Sequence, residues 1–585
     1  MINLKINNTP ITVESGTTIL DAAKLYNIKI PTLCNHPELH INSECRVCVV
    51  EIEGKKGLVT SCSTIVQEGM AIKTNSPRVL NARKTITELI LANHDTNCNA
   101  CAKNMSCELQ NLSNILGIDE FRFPSVLKMQ PIDDHNSSII RNPNRCIKCG
   151  RCIEVCKTVQ SINVLEIMGR GHSMEITPAY GRYLSNEFCT FCGQCASVCP
   201  VGAILEKDDT DKVWKAINDD KKRVIVQVAP AVRVSLGEEL GLKAGTIVTG
   251  KIVSALKLLG FDDVFDTDFT ADLTIIEEGH ELINRITNGG TLPMMTSCCP
   301  GWISFAETYY PEILPNLSTC KSPQQMFGAL AKTYYAKKIG INPEDLYVVS
   351  IMPCTAKKYE ALRPEMTSDG VNQDIDVVLT VRELGKLIKQ MGIDFESLED
   401  SPFDDPFGIT TGAGAIFGAT GGVMEAALRT VYELVNKKPL EDINFTKVRG
   451  LEGIKEATIN LGGTDVKVAT ANTLNNARIV AEQVKNGTSP YAFIEIMSCP
   501  GGCIGGGGQP YGTTIAVRQK RLEALYTVDG KMKIRKSHEN PSIKALYKDF
   551  LGEPLGHTSH HLLHTHYHIR NVKKEIDHKN IMATY

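Results

Sequence analysis

The stretch Thr296-Ser-Cys-Cys-Pro-Gly-Trp302 decides how this chain is organised, together with two later cysteine stretches of the same kind. The other two are Met352-Pro-Cys-Thr-Ala-Lys-Lys358 and Met497-Ser-Cys-Pro-Gly-Gly-Cys503. Each stretch follows a short apolar run, at 291–295, 347–351 and 493–496. Such runs are typical of buried parallel strands. The three stretches therefore predict an α/β sheet with cysteines at the ends of its strands.

Ligands of open α/β sheets collect at the carboxyl ends of the strands. About 200 residues separate the first of these cysteines from the last, yet the ends of the strands can meet at one place. We therefore expect one buried metal centre held by Cys299, Cys354, Cys499 and Cys503. The earlier part of the chain is expected to lead electrons to that centre.

Length, charge and cysteine content narrow the class of protein. The 585 residues allow several domains, and the net charge of −3 gives no bias toward nucleic acid or an anionic membrane. No signal peptide and no apolar run of ~18 residues is evident, so we expect a cytoplasmic protein with no nucleic-acid or membrane partner. Fifteen of the 21 cysteines lie within the first 199 residues, mostly in short-interval groups. This clustering favours metal ligands over disulfides or scattered buried thiols.

Residues 1–78 are expected to form a small β-rich domain. The runs 2–6 and 11–13 alternate in polarity around a turn and predict a hairpin, and Thr17 or Thr18 can cap a helix at 19–25. The compact pair Cys45-x-x-Cys48 is flanked by Cys34 and Cys62. Four thiolates with this spacing suit a two-iron cluster, and a zinc site has similar spacing.

Residues 79–125 are expected to hold a second, smaller cluster site after an amphipathic helix at about 79–91. Three cysteines follow the helix, at Cys98, Cys101 and Cys107, and leave a four-iron cluster one ligand short. A lone histidine is more often an ordinary core or surface residue. Here the missing ligand favours His94, four residues before Cys98, as the fourth ligand.

Residues 126–208 begin with a polar linker at 126–140 and then carry two runs of the form C-x2-C-x2-C-x3-C. This duplicated pattern is typical of bacterial ferredoxins with two four-iron clusters, in which the fourth cysteine of each run ligates the other cluster. One cluster is therefore expected on Cys146, Cys149, Cys152 and Cys199, and the other on Cys189, Cys192, Cys195 and Cys156. A module with two zinc ions is the alternative.

Residues 209–545 are expected to form the largest domain. A charged helix at 208–223 leads into apolar strands that alternate with amphipathic helices, for example at 251–259 and 381–389. This alternation predicts βαβ units and mainly parallel sheets in two lobes. Residues 546–585 are expected to form a polar helical tail with six histidines between His557 and His568. The histidines favour a solvated surface or a partner contact over a metal site.

Several of these motifs resemble those of known families. Ser43-Glu-Cys-Arg-Val-Cys-Val-Val-Glu51 resembles the plant-type ferredoxin-like domain that begins the large iron–sulfur subunit of respiratory complex I. The pattern from His94 to Cys107 is similar to the His-ligated cluster motif of that subunit and of [FeFe]-hydrogenases. The three opening stretches look like the three signatures of [FeFe]-hydrogenases. The resemblance covers essentially the whole chain. It implies a multidomain protein with a β-grasp ferredoxin-like domain, a small His/Cys cluster domain, an α+β two-cluster ferredoxin domain and a two-lobed α/β hydrogenase domain.

The resemblance also implies cofactors. The active site of the family is the H-cluster, a four-iron cubane joined through a cysteine thiolate to a two-iron unit with CO, CN⁻ and a bridging azadithiolate. By resemblance Cys299, Cys354, Cys499 and Cys503 hold the cubane, and Cys503 bridges to the two-iron unit. One [2Fe-2S] and three [4Fe-4S] clusters would accompany it. The residues implied to line the two-iron unit are Ala229, Pro230, Gln324, Met352, Lys357, Phe417 and Met497. Lys357 would donate to a cyanide as a point charge, although most lysines are simply surface residues.

A proton path follows from the same resemblance. Cys298 adjoins ligand Cys299 but is surplus to the four sulfurs needed, and without the resemblance it would be a buried inert thiol. The resemblance makes Cys298 the first proton acceptor. The rest of the implied path to solvent consists of Glu278, Glu281, Ser318 and Arg285. Two carboxylates three residues apart share a helix face, which on other grounds would be a solvated face.

The expected reaction is the reversible conversion of H₂ to protons and electrons. The alternatives are a sensory or scaffold relative without fast turnover and an electron-transfer subunit like that of complex I. The resemblance implies ferredoxin, a flavoprotein subunit linked to NAD(P)H, small iron–sulfur subunits and maturation proteins as partners. The complex I-like motifs and the histidine-rich tail favour a subunit of an electron-bifurcating complex over a stand-alone enzyme. The glycines 505–508 follow a ligand cysteine and do not open a helix after a strand, so flavin and NAD would lie on partner subunits.

Overall fold

The computed structural model describes residues 1–570, except for the side chain of His172, and it divides into two compact units. The first unit comprises Met1–Thr158, Asn163–Glu187 and Val198–Leu205. The second comprises Val159–Ile162, Phe188–Ser197 and the chain from Glu206 onward. Among the described residues, no helix is both long and apolar enough to cross a membrane. The last part of the expected helical tail, residues 571–585, lies outside the described residues.

The first unit opens with a five-stranded sheet that contains the predicted hairpin. Its strands lie in the order Thr9–Val13, Ile2–Ile6, Ala71–Lys73, Val49–Ile52 and Val59–Thr60. The first two strands are antiparallel, with Ile2 opposite Val13, so Leu4 and Ile6 point into the core. The helix Ile19–Leu25 begins after Thr18, whose hydroxyl accepts a hydrogen bond from the backbone of Asp21. Its buried face completes this core.

The rest of the first unit is built from short elements around the cysteines. The strands are Ile139–Arg141, Glu166–Met168, Glu175–Thr177 and Ile204–Glu206, and the helices are Pro77–Leu91, Glu108–Ile115 and Arg151–Glu154. The first helix begins two residues before the predicted start because Ser76 caps it and Pro77 occupies its first turn. Arg151 forms two hydrogen bonds to Glu108, of 2.7 and 2.8 Å, and one to the carbonyl of Asn35. This buried guanidinium therefore joins the three cysteine-bearing regions of the unit.

The second unit contains two sheets, which correspond to the two predicted lobes. The strands of the first sheet are all parallel, in the order Asp263–Asp266, Arg223–Val228, Leu346–Met352 and Val377–Thr380. The strands of the second sheet lie in the order Met294–Met295, Phe493–Met497, Thr464–Asn472 and Ile454–Leu461. Only the last pair of that sheet is antiparallel. The expectation of mainly parallel sheets is confirmed.

The predicted strand at 291–295 is reduced to Met294–Met295. Pro293 lies just before it and has no N–H to donate to a neighbouring strand, so regular pairing begins only after it. The predicted helix at 208–223 is also shorter, because it ends at Ile217 and a turn precedes the strand that begins at Arg223.

Helices cover both sheets of the second unit. Their bounds are Gln194–Ser197, Thr210–Ile217, Leu236–Glu239, Thr249–Leu259, Thr267–Asn288, Pro300–Tyr309, Pro323–Leu330, Ala336–Ile339, Ala356–Ala361, Val381–Gln390, Gly412–Ala415, Gly422–Asn436, Leu474–Lys485, Ile515–Lys531, Pro541–Leu546 and His557–Leu563. The helix Thr267–Asn288 is central, since fifteen of its residues are buried. It begins where the side chain of Asp266 accepts from Asp268 and ends at Gly289, which adopts a left-handed conformation.

The chain that follows the last helix lies against the second unit. The carbonyl of Leu563 accepts a hydrogen bond from Lys321, and Thr565 donates to the carbonyl of Thr319. Five of the six histidines between His557 and His568 are exposed, as expected for a solvated face. His564 differs: it is only 6% exposed, because these backbone contacts hold it against the core.

Candidate functional site

A pocket of about 740 Å³ lies at the carboxyl ends of strands from both sheets of the second unit. The four predicted ligands Cys299, Cys354, Cys499 and Cys503 all line it. Cys299 follows Met294–Met295 and precedes a helix whose first residue is Pro300. Cys354 follows the strand that ends at Met352, and the other two follow the strand that ends at Met497. The fold therefore gathers four sulfurs that are far apart in the sequence.

The sulfurs lie close enough to influence one another. Burial raises the pKa of Cys354, and the charges of Cys499 and Cys299 raise it further. Burial likewise raises the pKa of Cys503, with Cys354 and Cys299 adding to the effect. The backbone N–H of Ser498 donates to the sulfur of Cys299 at 3.3 Å. Thiols such as Cys354 and Cys503, whose ionisation is opposed by burial, are stabilised as thiolates by a bound metal, because coordination removes the proton and compensates the charge.

The part of the pocket beyond the sulfurs is mostly apolar. All of the residues expected to surround a two-iron unit line it, namely Ala229, Pro230, Gln324, Met352, Lys357, Phe417 and Met497. Gln324 is buried, and its side-chain oxygen has no hydrogen-bond partner among the described residues. The four cysteine sulfurs fit a four-iron cube, and the apolar lining beside them fits an attached group that needs few bonds to the protein.

Lys357 is the cation of this pocket. Its ammonium group donates to the carboxylate of Glu360 at 2.8 Å and to the carbonyl of Cys298 at 3.1 Å. Burial lowers the pKa of Lys357, but the charges of Glu360 and of nearby thiols outweigh that effect and leave the pKa raised. Lys357 therefore carries a fixed positive charge at the edge of the pocket.

The sequence did not identify every residue of the pocket. Thr267 and Ala271, from the central helix, also line it. Glu360 holds three donors on one oxygen: Lys357 at 2.8 Å, Ser322 at 2.9 Å and Gln324 at 3.1 Å. Its position three residues after Lys357 on one helix was the signal available in the sequence.

The predicted proton-path residues lie along the central helix and the loop beside it. The hydroxyl of Ser318 donates to Glu281 at 2.8 Å, and Arg285 donates to the other oxygen of Glu281 at 2.6 Å. Burial raises the pKa of Glu278 to about 8, helped by the charge of Glu281. Burial and the charge of Glu278 also hold the pKa of Cys298 well above its ordinary value. A half-buried thiol, two buried carboxyls and a buried hydroxyl therefore lie between the pocket and the partly exposed guanidinium of Arg285.

The loop that carries Cys189, Cys192 and Cys195 belongs to the same unit as the pocket. Thr355 donates to the carbonyl of Phe191 at 2.7 Å, and the charge of Cys192 adds to the raised pKa of Cys499. A Cβ on Gly507 would lie 2.2 Å from the carbonyl oxygen of Cys192. The glycine run after Cys503 therefore permits close packing of this loop.

The first unit holds the other predicted ligand sets. Cys48 donates to Cys62 at 3.3 Å, and Cys34 hydrogen-bonds to Cys45. These four sulfurs influence one another's pKa, so the structure brings them together. Another group, Cys146, Cys149, Cys152 and Cys199, lines one small pocket. Burial raises the pKa of Cys149, and Cys199 raises it further.

The set near His94 is also in the first unit. Cys98 and Cys101 are close enough to Cys107 to raise its pKa, although burial is the larger cause. Burial lowers the pKa of His94 to about 4, so its imidazole is neutral at pH 7. Its Nδ1 atom is buried and has no partner among the described residues. A neutral imidazole with a free ring nitrogen is competent as a ligand.

The last predicted set is divided between the units. Cys156 belongs to the first, where burial raises its pKa, and its three expected companions belong to the second. This ligand set therefore stays a prediction.

Comparison with family models gives matches along most of the chain. Residues 222–507 match the model described as the C-terminal domain of the iron only hydrogenase large subunit, and residues 515–570 match the iron hydrogenase small subunit. Residues 1–77 match a 2Fe-2S iron-sulfur cluster binding domain. Residues 83–122 match the iron-sulfur binding region of NADH-ubiquinone oxidoreductase-G, and residues 137–205 match the ferredoxin-like domain of NADH-quinone oxidoreductase subunit 3.

Relatives of similar length exist. The chain is 50% identical to the NADP-reducing hydrogenase subunit HndD of Solidesulfovibrio fructosivorans, over 97% of this chain and 99% of that protein. It is 41% identical to Iron hydrogenase 1 of Clostridium pasteurianum, over 97% of this chain and 100% of that protein. A solved variant of the [FeFe]-hydrogenase HydA1 from Chlamydomonas reinhardtii aligns with 45% identity and a TM-score of 0.56. That alignment covers 61% of this chain and 98% of the solved chain.

Proposed function

Because this chain belongs to the iron-only, or [FeFe], hydrogenases and is an oxidoreductase that acts on hydrogen, we propose roles in that reaction for its individual residues. The observation that carries the proposal is the pocket of the second unit. It combines four cysteine sulfurs, the additional thiol of Cys298 and the cation of Lys357 at the ends of two sheets. This arrangement favours a catalyst over a sensory or electron-transfer relative, because a sulfur that ligates nothing stands beside the ligands.

Cys299, Cys354, Cys499 and Cys503 would hold the cubane of the H-cluster, with Cys503 also reaching the two-iron unit. When bound, this group supplies the iron site at which H₂ is split or formed. Phe417, Met352 and Met497 exclude water from the site. Lys357 and Gln324 orient the two-iron unit through their polar ends, and Glu360 fixes both of these side chains.

The proton path of this enzyme would begin at Cys298 and continue through Glu278, Ser318 and Glu281 to Arg285. Cys298 stays neutral at rest, since a standing charge in a dry pocket is costly. A protonated Glu278, with its pKa of about 8, can both hold a proton and release it near neutral pH. The hydroxyl of Ser318 then connects the two carboxyls.

Electrons would reach the pocket through four accessory clusters, one [2Fe-2S] and three [4Fe-4S]. We propose the domain boundaries 1–78, 79–125, 126–208, 209–545 and 546–585. The spans of three family matches support the first three of these domains. The proximity of Cys192 to Cys499 supports a final electron step from the cluster of the loop at 188–197. His94 and its three cysteines would hold the cluster between the [2Fe-2S] domain and the ferredoxin domain.

The electron partner is proposed from the relatives. The name of the Solidesulfovibrio protein describes a subunit of an NADP-reducing hydrogenase, and this chain spans nearly its whole length. We therefore infer that the chain works with a flavoprotein subunit linked to NAD(P)H and with ferredoxin, and that maturation proteins deliver its two-iron unit. Purification without a tag on any partner tests this inference. A flavoprotein that co-purifies in stoichiometric amount would support the inference. The inference would be contradicted if the chain purified alone and exchanged electrons with no partner other than ferredoxin.

Metal content tests the cofactor assignment. The nineteen cysteine ligands and His94 imply about 20 irons per chain in protein that has been loaded with the two-iron unit. Iron and acid-labile sulfide are counted together with zinc, and H₂ evolution is measured on the same sample. A preparation in which zinc dominates would overturn the assignment.

A further inference from the structure

Cys320 is the one cysteine to which neither ligation nor the proposed proton path assigns a role. It is fully buried, and its sulfur lies 3.8 Å from an oxygen of Glu281. The side-chain donor atoms of Glu281, Cys320 and His564 all lie within 4.8 Å of one another. These three residues come from the central helix, the loop after Ser318 and the C-terminal segment. The fold therefore places a thiol and an imidazole beside the outermost carboxylate of the proposed path.

Both ring nitrogens of His564 are engaged. Its Nδ1 lies 2.7 Å from the hydroxyl of Thr319, and its Nε2 lies 3.1 Å from a carboxylate oxygen of Glu277. Glu277 also accepts hydrogen bonds from the phenol of Tyr547 and the backbone of Leu555. The backbone N–H of Thr319 donates to both oxygens of Glu281. An imidazole held between a hydroxyl and a carboxylate is arranged to exchange protons on both sides.

The path from His564 to solvent is short. The exposed ring of His560 stacks on that of His564, with 4.7 Å between the ring centroids and 5° between the planes. Arg285, at the end of the proposed path, cannot deprotonate in a protein, so it stabilises the carboxylate of Glu281 and a proton that leaves there must pass directly to solvent. Among the described groups near Glu281, the imidazole is therefore one that can accept a proton and pass it outward.

The charged and titratable groups around His564 are consistent with this role. The central helix contributes Glu277 and Glu281, and its own helix contributes His560. The segment 547–551 contributes Tyr547, and the C-terminal segment contributes Tyr567, which donates to the carbonyl of Cys320. Two carboxylates therefore lie beside the imidazole, the exposed ring of His560 stacks on it, and the cation of Arg285 lies on the far side of Glu281.

A metal site is the competing interpretation, because sulfur, imidazole and carboxylate are donors that Zn²⁺ accepts. However, a bound metal would permanently displace Thr319 or Glu277 from His564, whereas proton transfer from Cys320 needs only a brief exchange of one of these hydrogen bonds. It would also occupy Glu281, on which the proposed proton path depends. The hydrogen bonds therefore favour a proton carrier over a metal ligand.

We propose that Cys320 and His564 form a second branch of the proton path, which leaves Glu281 and reaches solvent beside His560. The inference rests on the proposed proton path to Glu281. In the outward direction the O–H bond of protonated Glu281 breaks as an S–H bond forms on Cys320. The original S–H proton of Cys320 passes to the imidazole of His564, which releases a proton to solvent. No atom changes oxidation state.

The test compares variants of the full-length enzyme. His564→Gln keeps a side chain that hydrogen-bonds but cannot accept a proton, and Cys320→Ala removes the thiol. Cys320→Ser keeps a group that donates and accepts, so it should retain the branch. His561→Gln, on the exposed face of the same helix, is the matched control. We expect His564→Gln and Cys320→Ala to lower H₂ evolution by about tenfold. Loss of an essential acid–base group would lower it by ~10²-fold or more. The expected effect is smaller because solvent near Arg285 can still exchange protons with Glu281.

A second readout does not depend on turnover. In protein without the two-iron unit, the infrared S–H band of Cys320, identified by its loss in Cys320→Ala, is followed after transfer to D₂O. We expect His564→Gln to slow its conversion to the S–D band severalfold, and His561→Gln to leave the rate unchanged. A merely structural role of His564 would not produce this selective slowing of S–H exchange together with lowered H₂ evolution.

The outcomes separate the two levels of the proposal. Unchanged turnover and unchanged exchange in His564→Gln, with iron content intact, would overturn the branch and leave the proposed function standing. Absence of H₂ turnover in the parent would instead contradict the proposed function. Stoichiometric zinc that co-purifies with the parent but not with Cys320→Ala would overturn the branch in favour of a metal site. If Cys320→Ala fails to fold, the loss of the S–H band in Cys320→Ser identifies that band instead, and the exchange measurement on His564→Gln then decides the matter.

Discussion

The ammonium group of Lys357 lies 2.8 Å from the carboxylate of Glu360, and the same carboxylate oxygen accepts from Gln324 at 3.1 Å. Lys357 and Gln324 both line the pocket, whereas Glu360 stands behind them. A single buried oxygen therefore sets the position of two polar groups that face the proposed two-iron unit. The charge of Lys357 also depends on this partner, because burial alone would lower its pKa.

We predict that Glu360→Gln weakens retention of the two-iron unit and lowers activity by about 10–100-fold. The amide cannot compensate the charge of Lys357, so the lysine loses its orientation and its pKa falls. The infrared bands of CO and CN⁻ in loaded protein report the environment of the unit, and iron content reports its retention. Glu396→Gln, an exposed substitution in the same unit, is the control. Unshifted bands and parental activity in Glu360→Gln would show that this carboxylate positions nothing essential.

The proposed ligand His94 gives a second prediction. His94→Cys should keep its cluster and lower the reduction potential, because a thiolate donates more negative charge than an imidazole. His94→Ala should lose or convert the cluster, since the three nearby cysteines leave one iron without a protein ligand. Electron paramagnetic resonance during a redox titration measures both effects. Spectra and potentials equal to those of the parent in both variants would exclude His94 as a ligand.

Glu278 gives a prediction about pH. Its pKa is raised to about 8, first by burial and then by the charge of Glu281, against an ordinary value of 4.5. Between these two values the folded chain holds one more proton than the unfolded chain. The contribution of this group to stability is therefore complete below about pH 4.5 and is lost as the pH rises to about 8, at about 1.4 kcal/mol per pH unit.

Glu278→Gln cannot ionise and should escape this loss. We expect the unfolding midpoint of the variant, relative to that of the parent, to rise between about pH 4.5 and pH 8 and to level off above pH 8. Calorimetric scans at one heating rate measure the difference, and Glu396→Gln serves as the exposed control. An equal trend in the control, or no trend in Glu278→Gln, would show that the carboxyl of Glu278 does not hold an extra proton in the folded chain.

Much of the site could be predicted from sequence because its ligands lie next to strands. Cys354 comes two residues after the strand Leu346–Met352, so an apolar run and a nearby cysteine located it. His564 could not be predicted in this way. It lies in a polar, histidine-rich segment, and only the contacts with Thr319 and Glu277, more than 200 residues away, make it buried. The strand Met294–Met295 is shorter than its apolar pattern predicted. The pattern reflects hydrophobicity alone and does not take into account that Pro293 has no N–H to donate.

Cys298 gives the last prediction. Its thiol lines the pocket beside ligand Cys299, and burial and the charge of Glu278 hold its pKa well above the ordinary value. A thiol in this environment can pass protons without carrying a standing charge. Cys298→Ser replaces the thiol by an alcohol, which is a far weaker acid, and should lose most turnover in both directions, by about 10²–10⁴-fold.

Cys298→Asp should retain part of the activity, because burial raises the pKa of the introduced carboxyl toward a useful range. H₂ evolution with a reduced dye and H₂ uptake with an oxidised dye are measured in both variants, and infrared bands verify that the two-iron unit is present. If the serine variant is fully loaded and turns over near the parental rate, Cys298 is not part of the proton path. If the serine variant lacks the two-iron unit, the thiol is needed for assembly, and the aspartate variant then decides whether it also transfers protons.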